Sequence, residues 1–587
     1  MTIKLNSGYQ IVIPAAANVS GEYAAAELAK YLEKIVGVVF PVVKDDAPVQ
    51  DKEILIGKTN RFGTPNGAGL KNDGYILRTM GEKLFIYGEN DRANLYGVYY
   101  LLEKYLGCGF YSLEVEKVPE NAEATLPEMD DKRVSPFEFR EARWVEPGRN
   151  CEFAVKLGLN ASRYITYDKK VGGDICVDSL AHTMFRYIHP DEYFDEHPEY
   201  FSMVNGVRIR EETQLCLTNP EVLAIFKKKL RQKIKDEPEG KIFGISQMDW
   251  YNPCQCPECA RIDAEEGSHM GTMMRFLNAL AEDIEKDYPD VLIETLAYQY
   301  TRHAPKLTKP HPNIVVCLCT IECCFTHPLR SCNHIAVPFK YLSEPSVTVQ
   351  QDLREWGKIC KRMMIWDYTT NYRFFVAPNI NFHVLQDNVN FFLENGVALL
   401  HEQGNGLARS GEFGELRAWL LGKLMWEPKG DMSAWMDQFL EGYYGEGAAP
   451  HIRGYIDYLS DFVVKYDVHA GIYESPQDVI PDAILPDLEA FWDAAEAATE
   501  DKDQLKRIRR SRLQLEFVKV HRKRRGDADF MEVAEAFIEK VKEHEVTMIQ
   551  EGKPLEWSFD QIRTGNLPDS WRVFWGPQPV DELEKKY

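Results

Sequence analysis

Four acids each close a short, mostly apolar run in this chain. Asp249 follows Ile245-Ser246-Gln247-Met248, and Glu322 follows Leu318-Cys319-Thr320-Ile321. Asp367 follows Met363-Met364-Ile365-Trp366, and Glu402 follows Val397-Ala398-Leu399-Leu400-His401. Breaking a glycosidic bond asks for one carboxyl that gives a proton and another that stays ionised. The residues beside the acids suit a sugar. Trp250, Tyr298, Trp366 and Tyr368 offer ring faces, and Gln299, Arg302, Asn371 and Gln403 offer partners for hydroxyls. His182 is either a further substrate contact or a satisfied core histidine. The plainer alternative for any one acid is a local pairing with arginine or a helix cap.

A second cluster of chemistry follows directly. Cys254-Gln255-Cys256-Pro257-Glu258-Cys259 places three soft ligands in six residues. Tetrahedral zinc takes four, and no second C-x-x-C pair follows at zinc-ribbon distance. Cys254, Cys256 and Cys259 are read as ligands of a structural zinc, with the fourth expected from Cys323, Cys324 or Cys332. The alternative is a loop of reduced thiols without metal. No G-x-S-x-G elbow occurs to support a serine triad, and with carboxylates at the site and no H-E-x-x-H helix the chemistry is expected to need no cofactor. Cys323 and Cys324 beside His327 are neighbours in sequence, which does not by itself make a thiol–imidazole dyad.

Such side chains must be held by a scaffold. Apolar runs at residues 137–144, 162–167, 183–189, 241–248, 291–298, 314–321, 363–368 and 397–402 read as strands, with helices such as 270–287 between them. Several lack period-two alternation, as parallel strands buried on both faces do. About eight strands with intervening helices predict a (β/α)8 TIM-type barrel. In such a barrel functional side chains stand at the C-terminal strand ends, where all four acids fall. An open doubly wound sheet is the competing α/β reading, but no Gly-rich phosphate turn supports one. Before the barrel (residues 135–425), residues 1–130 read as a small α/β domain. Its helix runs from Ser20, as N-cap, to Val36 with Gly37 as its stop, and residues 119–134 form a polar linker. After it, residues 426–587 read as an α-helical domain, with Trp557, Trp571 and Trp575 in a tail that packs back.

The chain has 587 residues, a formal net charge of -22, and 44% hydrophobic and 27% charged residues. That length predicts two to four domains. The acidic balance disfavours nucleic acid and anionic membrane as partners but not a neutral oligosaccharide. No long apolar run suggests a membrane span, and no apolar leader follows Met1. An odd number of cysteines, several inside apolar runs, fits reduced thiols and a cytoplasmic location.

The string Asp249-Trp250-x-Asn252-x-Cys254-x-Cys256-x-x-Cys259 resembles bacterial enzymes of glycoside hydrolase family 163. So do Thr295-Leu296-Ala297-Tyr298-Gln299-Tyr300-Thr301, Ile321-Glu322-Cys323-Cys324, Ile365-Trp366-Asp367-Tyr368-Thr369-Thr370-Asn371 and Glu402-Gln403-Gly404. The resemblance covers roughly residues 140–420. The N-terminal domain, which ends in residues 93–103, is similar to the α/β domain that precedes the barrel in β-hexosaminidases and α-glucuronidases. The resemblance implies a retaining glycosidase acting on β-linked N-acetylglucosamine, with the substrate's own 2-acetamido group as nucleophile. Glu322 is then the first candidate for general acid/base, because desolvation at the end of its apolar run would raise its pKa. Asp367 or Glu402 is the stabilising partner, and Asp249 suits either role. Two alternatives stand: an α-glucuronidase-like enzyme, with Arg302 or Arg409 holding a uronate, and a carbohydrate-binding protein without catalysis.

Overall fold

A computed structural model describes residues 2–179, 181–335, 347–409 and 411–567. Trp571 and Trp575 lie outside the described residues. The chain divides into two compact units. The first holds residues 1–174, 369–386 and 403–587, and the second holds 175–368 and 387–402.

The first unit begins with a six-stranded sheet. Its strands are β1 (Gln10–Ile13), β2 (Val42–Lys44), β3 (Glu53–Ile56), β4 (Tyr75–Met80), β5 (Lys83–Gly88) and β6 (Asp130–Arg133), in the order β6-β4-β5-β3-β1-β2. β1, β3 and β5 pair in parallel and are buried on both faces, whereas β4 and β5 form a hairpin across Gly81. Gly81 has φ +63°, which a Cβ would strain. Helix α1 (Val19–Val36) starts at Asn18, not Ser20. The Asn18 side chain accepts from the backbone N–H groups of Ser20 and Gly21 at 3.1 and 3.0 Å, which satisfies two of the helix's orphan donors. It ends at Gly37 in the left-handed conformation, as the sequence predicts. Helix α2 (Asp91–Leu106) covers the sheet. The expected polar linker is not wholly irregular. Its charged end, Asp130–Arg133, forms the edge strand β6 against β4, where Arg78 pairs with Asp130 at 2.8 Å. Charge on an exposed edge blocks further strand pairing.

Strand β7 (Phe139–Arg143) also belongs to this unit. The strand expected at 162–167 is absent there, because side chains claim the backbone. Glu141 accepts from the Arg163 N–H at 2.7 Å, the Ser162 hydroxyl from the Tyr164 N–H at 3.1 Å, and Asp174 from the Tyr167 N–H at 3.2 Å. The C-terminal part of the unit is helical, with helices Gly414–Trp426, Met432–Tyr444, Ala449–Lys465, Leu485–Ala497, Lys502–Arg522, Phe530–Glu543 and Leu555–Thr564. Trp557 rides on the last of these, which the sequence pattern did not mark. Phe374, Phe517, Phe537, Ile538 and Phe559 form a core that joins residues 369–386 to these helices.

The second unit is a parallel half-barrel. Strands β8 (Val177–Asp178), β9 (Ile242–Gly244), β10 (Leu292–Ala297), β11 (Ile314–Cys319), β12 (Met363–Tyr368) and β13 (Val397–Gln403) lie side by side in sequence order. Helices α3 (Pro220–Asp236), α4 (Pro257–Glu266), α5 (Met270–Ile284) and α6 (Val349–Ile359) intervene. The expected mixed α/β architecture is therefore present, and the parallel sheet of this unit is a half-barrel. Every residue of β11 and β12 is buried, which explains their unbroken apolar runs. The strand expected at 183–189 is instead a short helical turn, Met184–Arg186. Thr183 turns the chain there by donating its hydroxyl to the Gly244 carbonyl at 2.8 Å, and Val177 takes the place beside β9. Among the described residues no helix is long and apolar enough to cross a membrane.

Candidate active site

The register of the half-barrel places the acids. Val316 to Cys319 pair with Met363 to Trp366, so Thr320 stands one step beyond the strand, level with Asp367. The Thr320 N–H reaches the Trp366 carbonyl at 3.1 Å, and its hydroxyl donates to Asp367 Oδ1 at 2.5 Å. Asp367 is the penultimate residue of β12 and Glu402 the penultimate residue of the neighbouring β13. Both carboxyls are buried. Burial pushes Asp367 up to about 6, against the Thr320 hydroxyl and the Tyr368 N–H, which favour the ionised form. Burial pushes Glu402 well above the ordinary glutamate range, and the Asp367 charge raises it further. Among the described residues, neither Glu402 oxygen has a hydrogen-bond partner. Glu266 shows the contrast. It is equally buried, but Leu307, Thr308 and Arg275 all donate to it.

The two buried carboxyls thus differ in their surroundings, and burial raises both, Glu402 further through the Asp367 charge. Trp366 and His401, on the same two strands, pack edge to face with centroids 4.6 Å apart. Tyr368 is buried at the end of β12 and packs near Phe325. Glu294 is fully buried within β10, in the strand's interior rather than at its end.

Glu322 sits elsewhere. It is buried against the Arg302 guanidinium, which also donates through Nε to Asp352 at 2.7 Å and through Nη2 to the Val347 carbonyl at 2.5 Å. His303 adds a 2.8 Å contact to the other Asp352 oxygen, and Trp356 donates to the Arg302 carbonyl. Asp352 and Trp356 belong to α6, so this ion cluster ties two loops to a flanking helix. Glu322 thus faces the Arg302 guanidinium. Arg302, expected on sugar hydroxyls, is 1% exposed and committed to acids and backbone.

Asp249 is the exposed acid of the set. Its Oδ1 lies 3.8 Å from His182 Nε2 and 3.5 Å from Gln299 Nε2. His182 Nδ1 contacts the Gln247 carbonyl at 2.9 Å, and its ring stands 6.2 Å from that of Tyr298. His182 and Gln299 both hold positive φ, +57° and +50°. The three polar groups therefore gather beyond the ends of β8 to β10. Trp250 is tied down beside them by its indole N–H, which donates to the Thr213 carbonyl at 2.6 Å.

Asn371 and Gln403 belong to the first unit. The Asn371 side chain is used locally. It donates to the Glu474 carbonyl at 2.8 Å and accepts from the N–H groups of Arg373 and Phe374. The expected hydroxyl partner is thus a turn-forming residue. The Gln403 carbonyl accepts from Thr369 N–H at 2.8 Å and from the Tyr372 hydroxyl at 3.1 Å.

Cys254, Cys256 and Cys259 do converge, but their fourth partner is Cys216 rather than Cys323, Cys324 or Cys332. Nothing in the spacing marked Cys216, which stands alone far upstream. Cys324 comes within 3.5 Å of His327 Nδ1, closer than their sequence positions promised. Cys323 is fully buried, and burial holds its thiol well above the ordinary range, in the non-nucleophilic form.

A family model described as "Domain of unknown function (DUF4838)" matches residues 110–457, and one described as "Glycosyl hydrolase family 67 N-terminus" matches residues 4–101. The second is a glycosidase N-terminal domain, as the resemblance of the N-terminal domain implied. No curated protein is significantly similar to the chain. Among solved structures, a GH115 4-O-methyl-α-glucuronidase, BtGH115A, matches with a TM-score of 0.58 at 10% identity, over 96% of this chain and 78% of that one. A family 89 glycoside hydrolase from Clostridium perfringens, in complex with 2-acetamido-1,2-dideoxynojirmycin, matches with a TM-score of 0.50 at 10% identity, over 90% and 66%. At such identities the likeness is one of fold, and the fold is one that glycoside hydrolases use.

Proposed function

The chain belongs to the DUF4838 family, whose model spans more than half of its 587 residues, and on that premise we propose that it is a glycoside hydrolase. The observation that carries this reading is the buried pair of Asp367 and Glu402 on neighbouring strand ends, one raised to about 6 and the other raised well above the ordinary glutamate range. Glu402 replaces Glu322 as the general acid. It has the proton to give, whereas Glu322 is locked to Arg302.

The substrate we propose is a glycan with β-linked N-acetylglucosamine. The 2-acetamido oxygen attacks the anomeric carbon while Glu402 protonates the departing glycosidic oxygen. Asp367, ionised, orients the acetamido N–H and offsets the charge that develops on the group. Water then attacks the anomeric carbon, returns its proton to Glu402 and restores the acetamide, so configuration is retained. No cofactor enters these steps. The motifs that resemble glycoside hydrolase family 163 support this specificity, and the exposed group of Asp249, His182 and Gln299 offers further contacts for the glycan. The thirteen free cysteines support use in a reducing, cytoplasmic setting.

A uronate specificity loses ground on one observation. Arg302 is bound to Glu322 and Asp352, and Arg409 to Glu114, Glu146 and Glu545, so both cations considered for a uronate are already met by acids. A purely binding role is disfavoured because a buried carboxyl pair, with Glu402 lacking a hydrogen-bond partner among the described residues, burdens the fold without aiding recognition. Turnover of aryl N-acetyl-β-glucosaminides and aryl glucuronides by wild type and Glu402→Gln tests the proposal. Release from the first class only, lost in the variant, is expected. Undiminished turnover in Glu402→Gln would remove Glu402 as the acid, and release from glucuronides alone would replace the substrate class.

A further inference from the structure

We propose that Cys216, Cys254, Cys256 and Cys259 bind a structural zinc ion that fixes the loop carrying Asp249 and Trp250. The four Sγ atoms lie within 4.8 Å of one another, and all four side chains are buried. Cys216 Sγ stands 3.7 Å from Cys256 Sγ and 3.9 Å from Cys259 Sγ. Four thiolates around zinc at about 2.3 Å require S···S separations of about 3.8 Å. Chance packing of thiols in an apolar pocket does not demand that spacing for a whole set of four.

The surroundings are those of thiolates rather than of buried apolar thiols. The Met203 N–H points at Cys254 Sγ at 3.4 Å and Arg208 Nη1 at 3.6 Å. The Thr218 hydroxyl lies 3.2 Å from Cys259 Sγ and 3.5 Å from Cys216 Sγ. Four thiolates and one divalent cation leave a net charge of two minus. The donors and the Arg208 guanidinium answer that charge, as outer contacts of metal sites do. Met203 and Arg208 come from a two-stranded turn, Met203–Val204 with Val207–Arg208, which closes over the thiols. The Gln255 N–H completes the join by donating to the Met203 carbonyl at 2.7 Å.

The position explains what such a site would do. Residues 212–216 run alongside residues 248–254. Gln214 donates to the carbonyls of Met248 and Trp250 at 3.0 and 2.6 Å and accepts from the Met248 N–H. Asn252 donates to the Glu212 carbonyl at 2.8 Å. These bonds hold one end of the pair, and the metal would lock the other. Asp249 lies between Met248 and Trp250, both held by Gln214, and makes no tight bond of its own, so its placement depends on the loop whose following residues the metal would fix. The assignment is independent of the hydrolase reading and stands or falls separately from it.

The test uses the full chain, purified under reducing conditions without chelator. Elemental analysis is expected to show one zinc per chain, and titration with a mercurial to release it as four thiols react. Cobalt(II) loaded in its place is expected to show the absorption of a tetrahedral tetrathiolate. Cys216→Ser should lower zinc content at least about tenfold, with Cys151→Ser unchanged. Wild type that holds no stoichiometric zinc after reconstitution, or a cobalt spectrum without thiolate bands, overturns the proposal. If Cys216→Ser does not fold, the wild-type cobalt spectrum decides alone.

Discussion

Asp367 acts on Glu402 across two neighbouring strands, and its charge adds to the burial that keeps Glu402 protonated. The Thr320 hydroxyl, one step beyond the end of β11, favours the ionised form of Asp367 and so helps to set which of the two keeps the proton. The asymmetry is built from neighbours rather than from the acids themselves. Glu402 is deprived of partners, whereas Asp367 is granted two donors. Replacing Thr320 with Val should therefore narrow the gap between the two titrations.

The pH dependence of turnover follows from that pair. Activity requires Asp367 ionised and Glu402 protonated. Burial puts Asp367 at about 6, so kcat/KM is expected to fall below about pH 6, by about tenfold per pH unit as the proton returns. The alkaline limb belongs to Glu402 and lies well above the ordinary glutamate range. Profiles of wild type and Asp367→Asn check this. An acid limb that persists unmoved in the variant would assign it to another group, and the limbs are read as those of the pair.

Stability should run against activity at the same residue. The folded pKa of Asp367 is raised above its unfolded value of about 3.8. Its contribution to stability is therefore fully present below pH 3.8 and is lost as pH rises through about 6. At pH 8 the buried charge remains as a burden, and Asp367→Asn removes it. Urea unfolding at pH 8 is expected to show the variant more stable by on the order of 2 kcal/mol, with the gain vanishing toward pH 4. Equal stability of the two proteins at pH 8 would contradict the burial of an ionised group.

Asp249 should behave as a contact rather than as a reacting group. It is exposed, with His182 and Gln299 beside it. Asp249→Asn is expected to raise KM by roughly tenfold, with kcat within about threefold of wild type and Tm unchanged. A fall in kcat of a hundredfold or more at constant KM would place Asp249 in the chemical step instead.

The strands were legible because parallel strands buried on both faces leave unbroken apolar runs. Met363–Tyr368 matches its expected span, and Ile314–Cys319 falls within its own. The run at 162–167, Ser162-Arg163-Tyr164-Ile165-Thr166-Tyr167, is less apolar and loses the N–H groups of Arg163, Tyr164 and Tyr167 to side chains, which periodicity does not record. Site residues were legible as types and positions, not as environments. Glu322 and Glu402 both end apolar runs in the sequence. What separates them is Arg302, from the loop after a different strand, and no single-chain pattern reports that pairing. Asn371 was misread for a related reason, since its side chain is consumed by a turn. Cys216 left no signal, because a ligand outside the C-x-C-x-x-C cluster is joined to it only by the fold.

The Arg302 cluster gives the sharpest separation of the two glutamates. Arg302→Met would leave Glu322 and Asp352 buried without their cation and is expected to destabilise the protein by roughly 3–5 kcal/mol. Glu322→Gln keeps the Arg302–Asp352 bond and a polar group of the same shape, so it should cost only about 1–3 kcal/mol. The folded Glu322→Gln enzyme should then turn over substrate within about threefold of wild type, whereas a general acid lost by the same change would cost about a hundredfold to ten-thousandfold. Unfolding curves fix the folded fraction, and kcat per folded molecule is the deciding number. A thousandfold loss in well-folded Glu322→Gln, beside an active Glu402→Gln, would return the proton to Glu322 and leave the buried pair of Asp367 and Glu402 a purely structural feature.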